Sequence, residues 1–273
     1  MPTSNRMTCL PDSEMKLFNY DTMQRVAVDW SVKDRPFEQI RSALSQKAMA
    51  STPGSEHVIP EFTPISIQNG WGTCVCNAWC DMLEMVLGLE NPTLVYQLSR
   101  MFLYWVARYL TGDTGIDAGT FLRAAANQLM KIGVVLEEDY PYIAENLFKS
   151  PELDLYTLAS NNRIKGFYKM DAITPDNVEL AIRSNHPPVF SVEVIEAFLS
   201  FAGGAVVGPP NGVIAGRHAM IATGVRYVGS RRQFKWRNSW SDQWGDGGHC
   251  WVTEEYMNTA EDVWVGTKLE PLI

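Results

Sequence analysis

The spacing of apolar residues changes once along this chain, near residue 164, and that change limits the folds open to it. Before it the pattern is helical. Apolar residues at 75, 78, 79, 82, 83 and 86 fall on one face of a helix, with Gly88 expected as its stop. Residues 94–110 read as a second helix carrying Tyr96, Phe102, Tyr104, Trp105 and Tyr109, and 121–132 as a third, ended by Gly133. From 164 onward the runs are strand-like, at 164–168, 189–194, 218–228, 233–238, 249–253 and 263–268. One helix interrupts them at 175–184, with Thr174 as N-cap and Pro175 at its first position. Helices first and strands second predict an α+β chain with two unlike lobes, a helical one over about 67–163 and a β one over about 164–273.

The chemistry is concentrated just before the first helix. Gln68 stands six positions ahead of Cys74, with Gly70 and Gly72 between them to let the backbone bend. Thr73 is placed to cap the helix, which puts Cys74 in its first turn. Unpaired N–H groups and the positive end of the helix dipole favour a thiolate there. Gln68 can fold back so that its amide and the Cys74 N–H converge as an oxyanion hole. The bland alternative is that Cys74 is a small buried hydrophobe, as most cysteines are. Two distant segments argue against it. His218 opens an apolar strand 144 residues after Cys74, and Asn238 ends another strand 20 residues after His218. Each also has an ordinary reading, as a satisfied core histidine and a turn residue. His57, His186 and His249 lie in less suggestive contexts.

These three segments resemble the papain-like cysteine peptidases, and most closely their compact bacterial and phage-type branch. The nucleophile motif matches at Gln68, Gly72, Thr73, Cys74, Asn77 and Ala78. The histidine motif matches at Gly216, His218 and Ala219, and the asparagine motif at Asn238, Ser239, Trp240, Trp244 and Gly245. The histidine lies within the downstream distance typical of the family, and the asparagine slightly beyond it. The resemblance runs from about residue 65 to about 256. It implies a helical lobe and an antiparallel β lobe with the active-site cleft between them. It further implies a Cys74–His218–Asn238 triad with Gln68 as oxyanion donor, an acyl-enzyme intermediate and peptide-bond hydrolysis. Trp240 would shield the histidine–asparagine hydrogen bond, although plain packing is its ordinary role. Asp117 and Gly119 resemble the segment whose backbone pairs with an extended substrate; the simpler reading makes Asp117 or Thr120 a helix cap.

Some positions depart from the family pattern. Trp71 stands where many relatives carry a disulfide cysteine, Thr73 replaces serine, and Val75 replaces a common tryptophan. Arg217 precedes the histidine where an aspartate is frequent. A cation there would disfavour charged His218 and can recruit an acidic group of the substrate. The same triad also serves an acyl transferase, amidase or ligase, and an intact cleft can belong to a catalytically silent peptide-binding module.

Composition narrows the rest. A net charge of −8 argues against nucleic acid as a partner, and no apolar stretch reaches membrane-spanning length. The partner expected is a protein or peptide substrate, and oligomeric state is not legible. No cofactor pattern is visible. A zinc site built on Cys76, Cys80, His249 and Cys250 lacks the paired-cysteine spacing that metals favour. Five cysteines, three of them crowded between 74 and 80, make a poor disulfide framework. With no secretory signal at the N-terminus, a reducing, cytoplasmic setting is expected.

Residues 1–57 read as an extension to a peptidase domain at 58–273. Residues 21–29 show no clear period, 35–49 read as a short helix with Ile40, Ala43 and Leu44 on one face, and 51–55 read as a loop. An inhibitory pro-segment is one reading. A permanent outer wrap is the expectation, because Trp30, Phe37 and Ile40 need burial. Residues 203–216, just before His218, read as a long loop that can form a cleft wall.

Overall fold

A computed structural model describes residues 34–49, 54–93 and 96–268. The expectations for residues 1–33, including Cys9 and Trp30, lie outside the described residues. Helix α1 (Glu38–Ala48) is followed by a two-residue strand β1 (His57–Val58). The helical lobe then contributes α2 (Cys74–Glu90), α3 (Arg100–Thr111), α4 (Leu122–Lys131) and α5 (Leu153–Ala159). The β lobe follows as β2 (Gly166–Lys169), α6 (Pro175–Arg183), β3 (Val189–Ile195), α7 (Glu196–Leu199) and β4 (Val206–Val207). It closes with β5 (Ile214–Val228), β6 (Arg231–Arg237), β7 (His249–Thr253), α8 (Glu254–Met257) and β8 (Glu261–Thr267). The strands form one sheet in the order β2-β8-β3-β5-β6-β7-β4, and β1 adds to β5. Among the described residues all strand pairings are antiparallel except β4 with β7. The α+β expectation with two unlike lobes holds.

Helix α2 is the axis of the molecule. The sequence suggested one apolar face, yet 14 of its 17 residues are buried, Asn77, Asp81 and Glu84 among them. A helix enclosed on all sides needs partners for its polar members as well as its apolar ones. Gly88 does not stop it. The helix runs on to Glu90, and a Cβ at Gly88 would come within 2.2 Å of the Phe62 ring, so the glycine is a packing residue.

Other differences have local causes. Helix α3 begins at Arg100 rather than near 94, because Leu98 bridges to Leu136 and Ser99 caps the helix by accepting from Phe102 N at 3.0 Å. Strand β5 starts at Ile214, earlier than expected, because β3 keeps pairing with it past a bulge at Val194–Ile195. The loop before His218 is thereby shortened, and β4 ties it to β7. Helix α5 carried too short an apolar pattern to stand out. Helix α6 forms as read, with Thr174 accepting from Asn177 N at 3.2 Å.

The described part of the N-terminal extension is packed. Phe37, Ile40 and Leu44 join the main apolar core. Arg35 and Phe37 exchange backbone bonds with Lys169 at the start of the β lobe, at 2.8 Å each.

A charged cluster crosses between the lobes behind the N-terminal half of α2. Arg100 donates to Asp81 Oδ1 and to Glu84 Oε1, both at 2.6 Å. Arg237, at the end of β6, donates to Asp81 Oδ2 at 3.2 Å and to Glu61. His249 Nε2 meets the other Glu61 oxygen at 2.6 Å. Burial opposes ionisation of Glu61, but the His249 hydrogen bond and the Arg237 charge pull its carboxyl down to about 2.

Two outcomes are expected. Leu44→Ala should cost about 2–5 kcal/mol in urea unfolding, as for other large-to-small core changes. A loss under about 0.5 kcal/mol, the size of an ordinary surface change, would show that α1 is a loose appendage. Glu61 titrates lower in the folded chain, at about 2, than its ordinary 4.5. Its contribution is therefore present above pH 4.5 and lost as the pH falls toward 2. Glu61→Gln should flatten the decline of stability across that window, and an unchanged slope would contradict the pairing.

Candidate active site

The loop ahead of α2 is held by side chains from far along the chain. Thr73 was expected to cap α2, but its side chain makes no cap bond. Its hydroxyl instead accepts from Asn77 Nδ2 at 3.0 Å and bonds the Tyr142 hydroxyl. Tyr142 donates in turn to the Gln68 carbonyl at 2.9 Å. One relay thus fixes Gln68 relative to the first turn that carries Cys74. Gly72 is required by close approach, since a Cβ there would lie 2.8 Å from Gly119 N and 3.0 Å from Asp117 Oδ1.

Asp117 and Gly119 serve this loop in a way the sequence did not indicate. Asp117 Oδ1 accepts from Gly72 N at 2.9 Å and from the Tyr104 hydroxyl at 2.7 Å. It is not the cap of α4, whose N-cap position is Phe121. Gly119 N donates to the Tyr104 hydroxyl at 3.0 Å. Its N–H is therefore committed within the protein. Tyr104 and Tyr142 were missed as site residues. Their partners lie 13 to 74 positions away, so local pattern carried no signal for them.

The opposite wall comes from the β lobe. His218 sits in β5 opposite Val192 of β3. Its Nε2 lies 2.7 Å from Asn238 Oδ1. Ser239 N donates to the same Oδ1 at 2.7 Å, which identifies that atom as the acceptor and puts the proton on His218 Nε2. Asn238 Nδ2 has no partner among the described residues. The amide keeps a buried donor idle, at a cost of about 1–3 kcal/mol, and its oxygen faces the ring. Trp240 stacks on the imidazole at 4.3 Å between ring centroids. The indole lies over the ring that donates to Asn238.

Arg217 does not act on the histidine. Successive strand residues point to opposite faces, and Arg217 is paired with Glu193 of the adjacent β3 and with Glu261 of β8, one strand further on. Burial and Asn238, not Arg217, account for the shift of His218.

The two walls are joined through Gln68. Its backbone N–H donates to Ser239 O at 3.0 Å, and its Oε1 accepts from Ser239 Oγ at 2.8 Å. Ser241 N reaches Ser66 O at 3.1 Å, and Ile67 bridges to Trp240. One N–H of the Gln68 amide donates to Trp71 O at 2.9 Å, and the other has no partner among the described residues. That second donor is the one available to a ligand oxygen.

Cys74 and His218 are each 1 % exposed, and His218 and Ala219 line one small cavity with Val75, the residue after Cys74. The backbone N–H groups of Ala219, next to His218, of Val75 and of Cys74 itself favour the thiolate. Burial pushes the thiol up to about 11 against the pull of these donors. Burial also pushes His218 down to about 4, against the pull of Asn238. Each shift is the cost of a lone buried charge. Cys76, Cys80 and Cys250 are also buried and unpaired, and burial raises all three thiols.

Comparison with known proteins bears on this geometry. The family model described as papain family cysteine protease matches residues 58–264. An uncharacterized peptidase C1-like protein of Acanthamoeba polyphaga mimivirus is 25 % identical over 213 residues, 72 % of this chain and 68 % of the viral protein. Peptidase 1 of the mite Dermatophagoides farinae is 25 % identical over 196 residues, and the match spans 56 % of the mite protein's length. Among solved structures, xylellain, a cysteine protease from Xylella fastidiosa, superposes with a TM-score of 0.74 at 23 % identity, over 87 % of this chain and 92 % of its own. Bromelain from Ananas comosus superposes at 0.65 and 19 % identity, over 79 % of this chain and 99 % of its own. The structural likenesses speak for the fold, and the family match covers the segments that carry Cys74, His218 and Asn238. This chain belongs to the papain family of cysteine proteases.

Proposed function

We propose that this cysteine peptidase hydrolyses protein or peptide substrates with Cys74 as nucleophile, His218 as acid and base, Asn238 as orienting partner and Gln68 as oxyanion donor. The observation that carries this reading is the 2.7 Å bond from His218 Nε2 to Asn238 Oδ1, made under the cover of Trp240. With Nε2 occupied, Nδ1 is the nitrogen left to exchange a proton with the thiol. The proton passes from Cys74 to His218, and the thiolate attacks the peptide carbonyl carbon. The developing oxyanion takes the second Gln68 N–H and the Cys74 backbone N–H. His218 then protonates the leaving amine as the carbon–nitrogen bond breaks. Water, deprotonated by the same imidazole, releases the acid product and restores the thiol. Transfer to another acceptor would use the same groups.

The remaining parts of the reading rest on packing. We take residues 58–273 as the peptidase domain and 1–57 as an extension that stays in place, because Phe37, Ile40 and Leu44 are built into the core. A reducing setting agrees with the four described cysteines being unpaired.

Cys74→Ala should abolish turnover of a fluorogenic peptide while leaving the unfolding midpoint near that of the wild type. Turnover at the wild-type rate would defeat the assignment. Gln68→Ala should lower kcat about 10²-fold, the usual loss for one oxyanion donor. In His218→Ala the thiol keeps its burial without its counter-charge, so Cys74 alkylation should move upward toward pH 11. An unchanged alkylation profile would show that the two groups form no charge pair.

A further inference from the structure

We propose that Arg237 is a positioning residue of the active site, setting the separation of Cys74, Gln68 and Asn238 through a single buried guanidinium. The inference rests on the function proposed above. Those groups belong to three different segments, and Arg237 touches or belongs to all three. It immediately precedes Asn238 at the end of β6. Its Nε donates to Asp81 Oδ2 at 3.2 Å, and Asp81 lies on α2 seven residues beyond Cys74. Seven residues are about two turns, or roughly 10 Å, so both residues occupy nearly the same side of one rigid rod. Its Nη1 donates to Glu61, and its Nη2 to the carbonyls of Pro64 at 2.7 Å and Thr63 at 3.2 Å. That extended segment runs directly into Gln68.

All three guanidinium nitrogens are therefore in use, each toward a fixed partner. The side chains of Arg237 and Asp81 are 1 % and 2 % exposed. Buried ion pairs contribute little net stability compared with well-packed apolar residues of similar volume. A planar fork with donors in three directions does offer what an apolar side chain cannot, a defined separation between three backbones. The partners hold each other in turn. Arg100 engages the second Asp81 oxygen at 2.6 Å, and Thr63 Oγ1 donates to Glu84 at 2.5 Å. A lysine at 237 can reach one of these partners but cannot span all of them.

The test compares full-length wild type, Arg237→Met and Arg237→Lys by unfolding midpoint, peptide turnover and the pH profile of Cys74 alkylation. Arg237→Met is expected to lower kcat by about 10²-fold, the loss typical of a displacement of about 1 Å, with KM changed only a few-fold. Its alkylation profile should shift upward, in the same direction as that of Asn238→Ala, because the imidazole no longer faces the thiol correctly. Arg237→Lys should fall between. A folded Arg237→Met with wild-type kcat and alkylation profile would overturn the proposal. If Arg237→Met does not fold, Asp81→Asn replaces it. There, a lowered midpoint with unchanged kcat and alkylation profile would mark the pair as merely structural, and a shifted profile would support positioning. If the wild type alkylates at Cys74 but turns over no peptide, the hydrolytic reading fails, while the alkylation comparison still decides the role of Arg237.

Discussion

A helix that carries Asp81 and Glu84 into the interior must have counter-charges brought to it. In this protein they arrive from both sides. Arg100 comes from the helical lobe and Arg237 from the β lobe. The requirement is electrostatic, but its effect is geometric. Both guanidinium groups seat on α2, and His218 of the β lobe lines a cavity with Val75 in the first turn of that helix. Glu61 and His249 extend the cluster outward to the segment leading to Gln68.

The candidate site shows the same economy on a smaller scale. Its groups come from segments far apart in sequence, and each is fixed by a bond that uses up its alternative partners. Asn238 Oδ1 accepts from Ser239 N and so presents a defined lone pair to His218. The Gln68 amide is held at both ends, by Ser239 and Trp71, with one N–H left over. Polar groups fixed in advance reorganise little when charge develops, which is the main physical source of rate in such sites. Burial of Cys74 and His218 makes either charge alone costly.

Much of this was legible in the sequence, for reasons that differ between elements. The strands at 189–194 and 249–253, and the Thr174-capped helix, follow local patterns that tertiary packing reinforces. Cys74, His218, Asn238 and Trp240 stood in motifs and are brought together. What local pattern hid was long-range. Tyr142 and Tyr104 look like ordinary core aromatics, yet their hydroxyls hold the nucleophile loop. Gly88 looked like a helix stop and is a seat for Phe62. Arg217 appeared to threaten the histidine because its neighbours in sequence were known and its carboxylate partners, 24 and 44 positions away, were not. Asp117 and Gly119 matched a substrate-binding pattern, and the contacts that the Tyr104 hydroxyl makes with both lay beyond local pattern.

The central claim is that Cys74, the Gln68 amide and the His218–Asn238 pair act on one carbonyl group. A crystal structure of the full chain with a peptide aldehyde tests it most directly, because the adduct imitates the tetrahedral intermediate. The account predicts a bond from Cys74 Sγ to the aldehyde carbon, with the adduct oxygen within about 2.7–3.2 Å of Gln68 Nε2 and of the Cys74 backbone nitrogen. His218 should remain bonded to Asn238 beneath Trp240. An adduct on another cysteine, or an oxygen turned away from Gln68 into solvent, would contradict it.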